Sequence, residues 1–257
     1  MDRSVVPVAL AVVLLAGVAV GVGALGGIRQ GRDVVTAVLR AVVQIVVVGL
    51  VLGLVLRTPA LAPFYLALAL GVASWTSARR LGSGGVGVRR VWPVTVLAIG
   101  AGAGSAAGIV FAVGALPPHV LQVVPFTAQL IGGSMTATTL AGRRMLDDVD
   151  AGWHEVEGWL AIGARTAQAV APLGRTAAAR ALAPALDQTR TVGLVTLPGA
   201  FVGLLLGGAS PWEAARVQLL VLVGLLAAET VAVVVVTRGI GGFLQGRPGA
   251  RNPSGSP

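Results

Sequence analysis

Two charged side chains stand inside long apolar runs of this sequence: Arg40 in TAVLRAVVQIVVVGLVLGLVL and Glu229 in LLVLVGLLAAETVAVVVV. A formal charge in hydrocarbon is expensive, so a residue kept there is a functional candidate by default. Gln44 follows Arg40 by about one helical turn and shares its face, which makes a polar patch suited to a bundle interior. The opposite signs of Arg40 and Glu229 leave two chemistries open. A pair would be structural or would act as a gate, whereas an unpaired Glu229 could bind a cation directly. Arg40 is close enough to the end of its run for its head to snorkel to the interface, and Glu229, in mid-run, reaches water less easily.

Gln122, Pro125, Gln129 and Met135 crowd into one segment, QVVPFTAQLIGGSM, and Pro198 interrupts another. Amide oxygens and a thioether are groups a solute can exchange for water. A proline either distorts a helix so that freed carbonyls line a pathway, or only kinks it for packing. The sequence has no cysteine and only two histidines, His119 and His154, which excludes thiolate chemistry and a histidine-rich metal site within one chain. No metal ligands are therefore assigned. No catalytic residue emerges either, because a membrane enzyme needs clustered carboxylates, histidines or cysteines, and the ten acidic residues show no such spacing. A G-x-x-x-x-G-K-[ST] loop is absent, so this chain offers no phosphate cradle for ATP.

The elements that must position these residues are membrane helices. Hydrophobic residues make up 55% of the 257 and charged residues 11%, with a mean hydropathy of +0.87. A soluble domain carries about 25% charged residues, so the chain reads as an all-α polytopic membrane protein. Runs of spanning length fall at 5–28, 34–56, 59–78, 91–114, 120–142, 191–208 and 219–237, predicting about seven transmembrane helices. All basic residues are arginine, and all except Arg3, Arg40, Arg57 and Arg216 fall in connections on one face. The positive-inside rule then places the N-terminus outside and the C-terminus in the cytoplasm, in a multi-pass inner (plasma) membrane protein. The sixth run is short and broken at Pro198-Gly199. Residues 80–90 read as a flexible basic loop and 246–257, rich in Pro, Gly and Ser, as a disordered cytoplasmic tail.

Between the fifth and sixth runs lies the one long polar stretch, 143–190, containing EVEGWLAIGA at 155–164. Val156, Trp159 and Leu160 stand at i, i+3 and i+4, which predicts a short helix with one apolar face while Glu155 and Glu157 point elsewhere. Gly163 suits a helix end or sharp bend, and an alanine-rich helix follows to about Arg190. Such a helix either lies on anionic lipid, anchored by Trp153 and Trp159, or docks a protein partner.

The decapeptide at 155–164 resembles the coupling loop of ABC-transporter permeases. With LRAVVQIVVVGLVL (39–52), QVVPF…IGGSM (122–135) and ALAPALDQTRTVGLVTLPGAFVGLL (181–205), nearly the whole chain resembles the iron-export ABC permease family (FetB-like), whose plant branch is linked to aluminium tolerance. The resemblance implies a transmembrane permease domain over 1–245 with its coupling segment at 143–190. It implies that Glu155, Glu157, Trp159, Leu160, Gly163 and Ala164 meet a separate ATPase subunit. ATP and magnesium would sit on that partner, with no cofactor on this chain. Arg40, Gln44, Gln122, Pro125, Gln129, Met135, Pro198 and Glu229 are then candidates for the translocation pathway. The implied assembly is a homodimer in the lipid bilayer, without nucleic acid, exporting a metal ion, iron-like, or a metal-related solute. The family pattern P-x-x-G-M-x-x-G-N-x-M is altered here: Gln129 and Gly133 replace a methionine and an asparagine, which exchanges a soft thioether for a harder amide oxygen. The alternative is a secondary transporter with Glu229 as an ion or proton relay, which would require an inverted repeat that the sequence does not display.

Overall fold

The computed structural model describes residues 5–28, 30–82, 87–193 and 197–243. The expected tail at 246–257, part of the loop at 80–90, part of the TVGLVTLPG run, and Arg3, Arg29, Arg247 and Arg251 lie outside the described residues. Among the described residues the structure is all-helical: α1 (Val5–Leu25), α2 (Gly31–Arg57), a 3-10 turn (Pro59–Leu61), α3 (Ala62–Leu81), α4 (Val88–Ala112), α5 (Val120–Ala151), α6 (Trp153–Ala161), α7 (Thr166–Thr191), α8 (Gly199–Leu206) and α9 (Pro211–Phe243). Five segments of the described residues are long and apolar enough to cross a membrane: Val6–Leu25, Gly31–Arg57, Pro59–Leu81, Val88–Ala112 and Pro211–Gly242. The expected fifth run forms the first two-thirds of α5, which continues to Ala151.

The chain divides into two compact units, residues 1–60 and 61–257. In the first, α1 and α2 pack against one another across a turn in which Gly27 takes φ +74°, a backbone region that favours glycine. Its large apolar side chains are mostly exposed, Leu15 and Ile45 among them, as suits helices surrounded by lipid.

The second unit is a bundle in which α4, α5 and α9 form the centre and α3 and α7 flank them. Small residues let the backbones close up. Gly102 of α4 lies against the Ala228 carbonyl of α9, and a Cβ on Gly142 of α5 would sit 2.7 Å from Leu81 and 3.1 Å from Ile240. Hydroxyls tie the helices across these contacts: Thr95 donates to the Ser74 carbonyl at 2.9 Å, and Ser77 and Thr139 share a hydrogen bond of 2.8 Å. A reciprocal capping box sets the start of α9, where the Ser210 amide donates to Glu213 Oε2 (3.1 Å) and the Glu213 amide donates to Ser210 Oγ (3.3 Å).

The sixth run departs from expectation. α8 has eight residues, about 12 Å of helix, against a hydrocarbon core of about 30 Å. Residues 191–208 are therefore not one continuous spanning helix. α7 ends at Thr191, Gly193 takes φ +79°, and Pro198 is extended (ψ 150°) before α8 begins. α7 itself runs back along α5 and α9. Gly174 lies against Met145 and Thr237, whereas Gln188 shares a cavity with Gln129, Leu225 and Glu229. The second half of α7, read from sequence as part of a cytoplasmic stretch, is thus level with the middle of α5 and α9.

Candidate functional site

A cavity of about 320 Å³ opens between α5, α7 and α9. Gln129, Gly132, Gly133 and Thr136 line it from α5, Pro184, Ala185 and Gln188 from α7, and Leu225 and Glu229 from α9. Glycine at 133 makes the wall possible: a Cβ there would come 2.5 Å from Leu225 Cδ2 and 2.7 Å from Glu229 Oε1. Glu229 is half-buried while Gln129, Thr136 and Gln188 are exposed toward the opening. Thr136 donates its hydroxyl to the Gly132 carbonyl at 3.2 Å, so its oxygen retains lone pairs for a ligand. Pro184 cannot supply the amide that would bond the Arg180 carbonyl, which leaves a backbone acceptor in the same turn.

A second recess adjoins this one at Pro184 and is lined by Arg144, Arg180, Ala183 and Asp187. Two of its charges are paired, Arg180 with Asp148 and Asp187 with Arg190, each at 3.7 Å. These pairs are open to solvent in the isolated chain and contribute little to stability. Glu229 has no salt bridge within its own unit among the described residues.

Of the pathway candidates within the second unit, the fold brings Gln129 and Glu229 together and leaves Gln122, Pro125, Met135 and Pro198 off the cavity wall. Met135 is half-buried against the apolar cluster of Ile99, Ala103 and Phe126, away from the cavity. Gln122 sits in the first turn of α5 with its Oε1 buried and without a hydrogen-bond partner among the described residues. Pro125 is exposed within α5, and Pro198 caps α8 beside a separate, mostly apolar pocket that includes Phe201 and Gln218. Arg40 and Gln44 belong to the first unit, both exposed on α2. Gln188, Thr136 and Pro184 were missed by sequence reasoning. The small residues Gly174, Ala177 and Ala181, all buried on one side of α7, were the signal that this helix packs inside a bundle.

The other candidate surface is α6. Val156 is buried against the core cluster that contains Val149, Val170 and Ile240, with Trp153 and Leu160 packed beside it. Glu157 accepts a hydrogen bond from Trp153 Nε1 at 2.7 Å, so this carboxylate steadies the helix from within. The residues read from sequence as one apolar face therefore divide. Val156 and Leu160 face the bundle, and Trp159, 45% exposed, faces out with Glu155 and with Ile162, 76% exposed. Glu155, Trp159 and Ile162 stand at i, i+4 and i+7, a single outward stripe. Gly163 then takes φ +88° and turns the chain through Ala164 into α7, where the Arg165 amide donates to Gln168 Oε1 at 3.0 Å.

Comparison with known proteins places these features in context. A family profile described as "Uncharacterised protein family (UPF0014)" matches residues 5–242. The chain is similar to "UPF0014 membrane protein STAR2" of Oryza sativa subsp. japonica, at 32% identity over 69% of this chain and 60% of that protein. It is also similar to "Protein ALUMINUM SENSITIVE 3" of Arabidopsis thaliana, at 37% identity over 45% of this chain and 42% of that protein. "Probable iron export permease protein FetB" of Escherichia coli K12 aligns at 31% identity over 54% of each chain. The chain thus spans about half the length of the curated relatives it matches. No solved structure matches.

Proposed function

Since the chain belongs to the UPF0014 family of membrane proteins, we propose that it is the permease subunit of an ABC transporter, exporting a metal ion or metal-related solute with energy from a separate ATPase. The observation that carries this reading is α6. Its inner side is locked into the bundle by Val156, and its outer side presents Glu155, Trp159 and Ile162 where α5 and α7 meet. A short helix held rigidly at a bundle end, with an aromatic anchor and an apolar neighbour exposed, suits a groove on a partner that must transmit force in both directions. ATP and magnesium belong on that partner. The naming of the E. coli relative as a "probable iron export permease" supports both the transport class and the outward direction.

The solute path in this reading follows the cavity between α5, α7 and α9. The sixth crossing is a discontinuous helix, made of the second half of α7, the extended break around Pro198, and α8. Broken helices are tolerated at membrane depth where they line an aqueous cavity. The exposed Arg180, Asp187 and Gln188 would be costly against lipid tails. A second copy of the chain covering this face, with water between the two, removes that cost and supports a homodimer; the arginine-rich connections support a cytoplasmic C-terminus.

The test is co-expression with a candidate ATP-binding subunit, followed by purification and transport assays in vesicles. Trp159→Ala with Ile162→Glu should abolish co-purification and ATP-driven transport while the permease stays folded in the membrane. Transport that persists with these changes and follows an imposed ion gradient instead would favour the secondary-transporter reading.

A further inference from the structure

We propose that the α5–α7–α9 cavity is a binding site for a hard cation, held through oxygen atoms with part of its water shell retained. The inference deepens the permease reading and rests on it only for the cation's role as cargo. The donor set carries it. Among the described residues Glu229 supplies the one formal charge in the cavity wall, Gln129 and Gln188 supply amide oxygens from facing helices, and Thr136 supplies a hydroxyl oxygen. None of these four groups is a soft ligand, and oxygen donors select magnesium-, calcium- or manganese-like ions over copper(I) or cadmium. The thioether that would have changed this preference, Met135, is not in the cavity wall and is packed instead against the cluster of Ile99 and Phe126.

The wall is also arranged to keep the carboxylate free. Glu229 has no salt bridge within its unit among the described residues, whereas the neighbouring Arg180 is paired with Asp148 and Arg190 with Asp187. Glycine at 133 places backbone rather than a side chain beside Glu229 Oε1, and the residue itself lines the cavity. A volume of about 320 Å³ exceeds that of a bare ion and accommodates a partly hydrated one. One carboxylate with neutral oxygens gives modest affinity, as suits a solute that must leave again.

The probe is Mn²⁺, followed by electron paramagnetic resonance on the purified permease in nanodiscs without ATPase, so that the outcome is independent of coupling. Saturable binding is expected in the parent protein, weakened by at least about 10-fold in Glu229→Gln, which removes the charged donor itself, and by a smaller factor in Gln188→Leu. Gln188 is exposed on α7, so its variant remains informative should Glu229→Gln fail to fold. Saturable binding that is unchanged in folded variants would overturn the site. No binding at millimolar Mn²⁺, or displacement of Mn²⁺ by equimolar Cd²⁺ but not by Ca²⁺, would overturn the hard-cation assignment. Failure of the permease reading shows separately, as loss of ATPase co-purification in the parent protein.

Discussion

Gly133 lies directly beneath Glu229: a Cβ added at residue 133 would stand 2.7 Å from Glu229 Oε1 and 2.5 Å from Leu225 Cδ2. A glycine of α5 thereby sets how closely the carboxylate of α9 can approach. Both contacts are with the ends of side chains, so Gly133→Ala forces Glu229 and Leu225 to move. The expected cost is about 1–3 kcal/mol of overpacking, read as a lower melting temperature in detergent. Gly133→Ala with Leu225→Ala should recover part of it. Gly102 faces the Ala228 backbone carbonyl, which cannot swing aside, so Gly102→Ala should be the more damaging single change and should gain nothing from Leu225→Ala.

A second prediction separates the two sides of α6. Val156→Asp places a charge in the apolar core and should lower the amount of folded permease. Trp159→Ala and Glu155→Arg act on the outward stripe and should leave folding intact while weakening ATPase capture. Glu157→Arg is a poorer probe of docking, because it removes the acceptor of the Trp153 indole N–H and so perturbs α6 itself. Equal loss of ATPase capture and unchanged expression for all of these variants would contradict the division of faces.

The discontinuous sixth crossing is tested by thiol labelling, which is clean because the sequence has no cysteine. Ile162→Cys should react with an impermeant maleimide only from the cytoplasmic side, and Ala209→Cys only from the opposite side. Gln188→Cys, at mid-depth but facing the cavity, should react with a small hydrophilic thiol reagent, whereas Val223→Cys, on an exposed apolar stretch of α9, should not. Labelling of positions 162 and 209 from the same side would mean that α7 and α8 together do not cross. A cytoplasmic reporter fused after Arg238 should be active in the same topology.

The fourth prediction concerns Arg40 and Glu229. If they form a buried pair, Glu229→Gln and Arg40→Gln each leave one uncompensated charge at a cost of about 3–5 kcal/mol, and the double variant recovers part of the loss. If Glu229 serves the cation instead, Glu229→Gln folds normally and loses Mn²⁺ binding. The yield of folded protein and the binding assay together tell the two apart.

The membrane class and the approximate positions of most helices were determined by the sequence itself, because hydropathy over some 20 residues reflects a local cost that no tertiary contact can offset in lipid. Glu229 was identifiable for the same reason. The helix of α6 was legible from the spacing of Val156, Trp159 and Leu160, but its two faces were not: an apolar residue at i and another at i+3 look alike whether they face a partner or the chain's own core. Only packing against α5 and α7 assigned Val156 inward and Trp159 outward. The placement of α7 was likewise decided by tertiary structure. Its arginines and Asp187 dilute the local hydropathy, while the buried side, Ala169, Val170, Gly174, Ala177 and Ala181, gains its stability only when α5 and α9 stand against it. The same packing brought Gln188 to Gln129 and Glu229 and carried Met135 away, because which residues converge on a cavity depends on the relative rotation of three helices, and a linear pattern does not encode that.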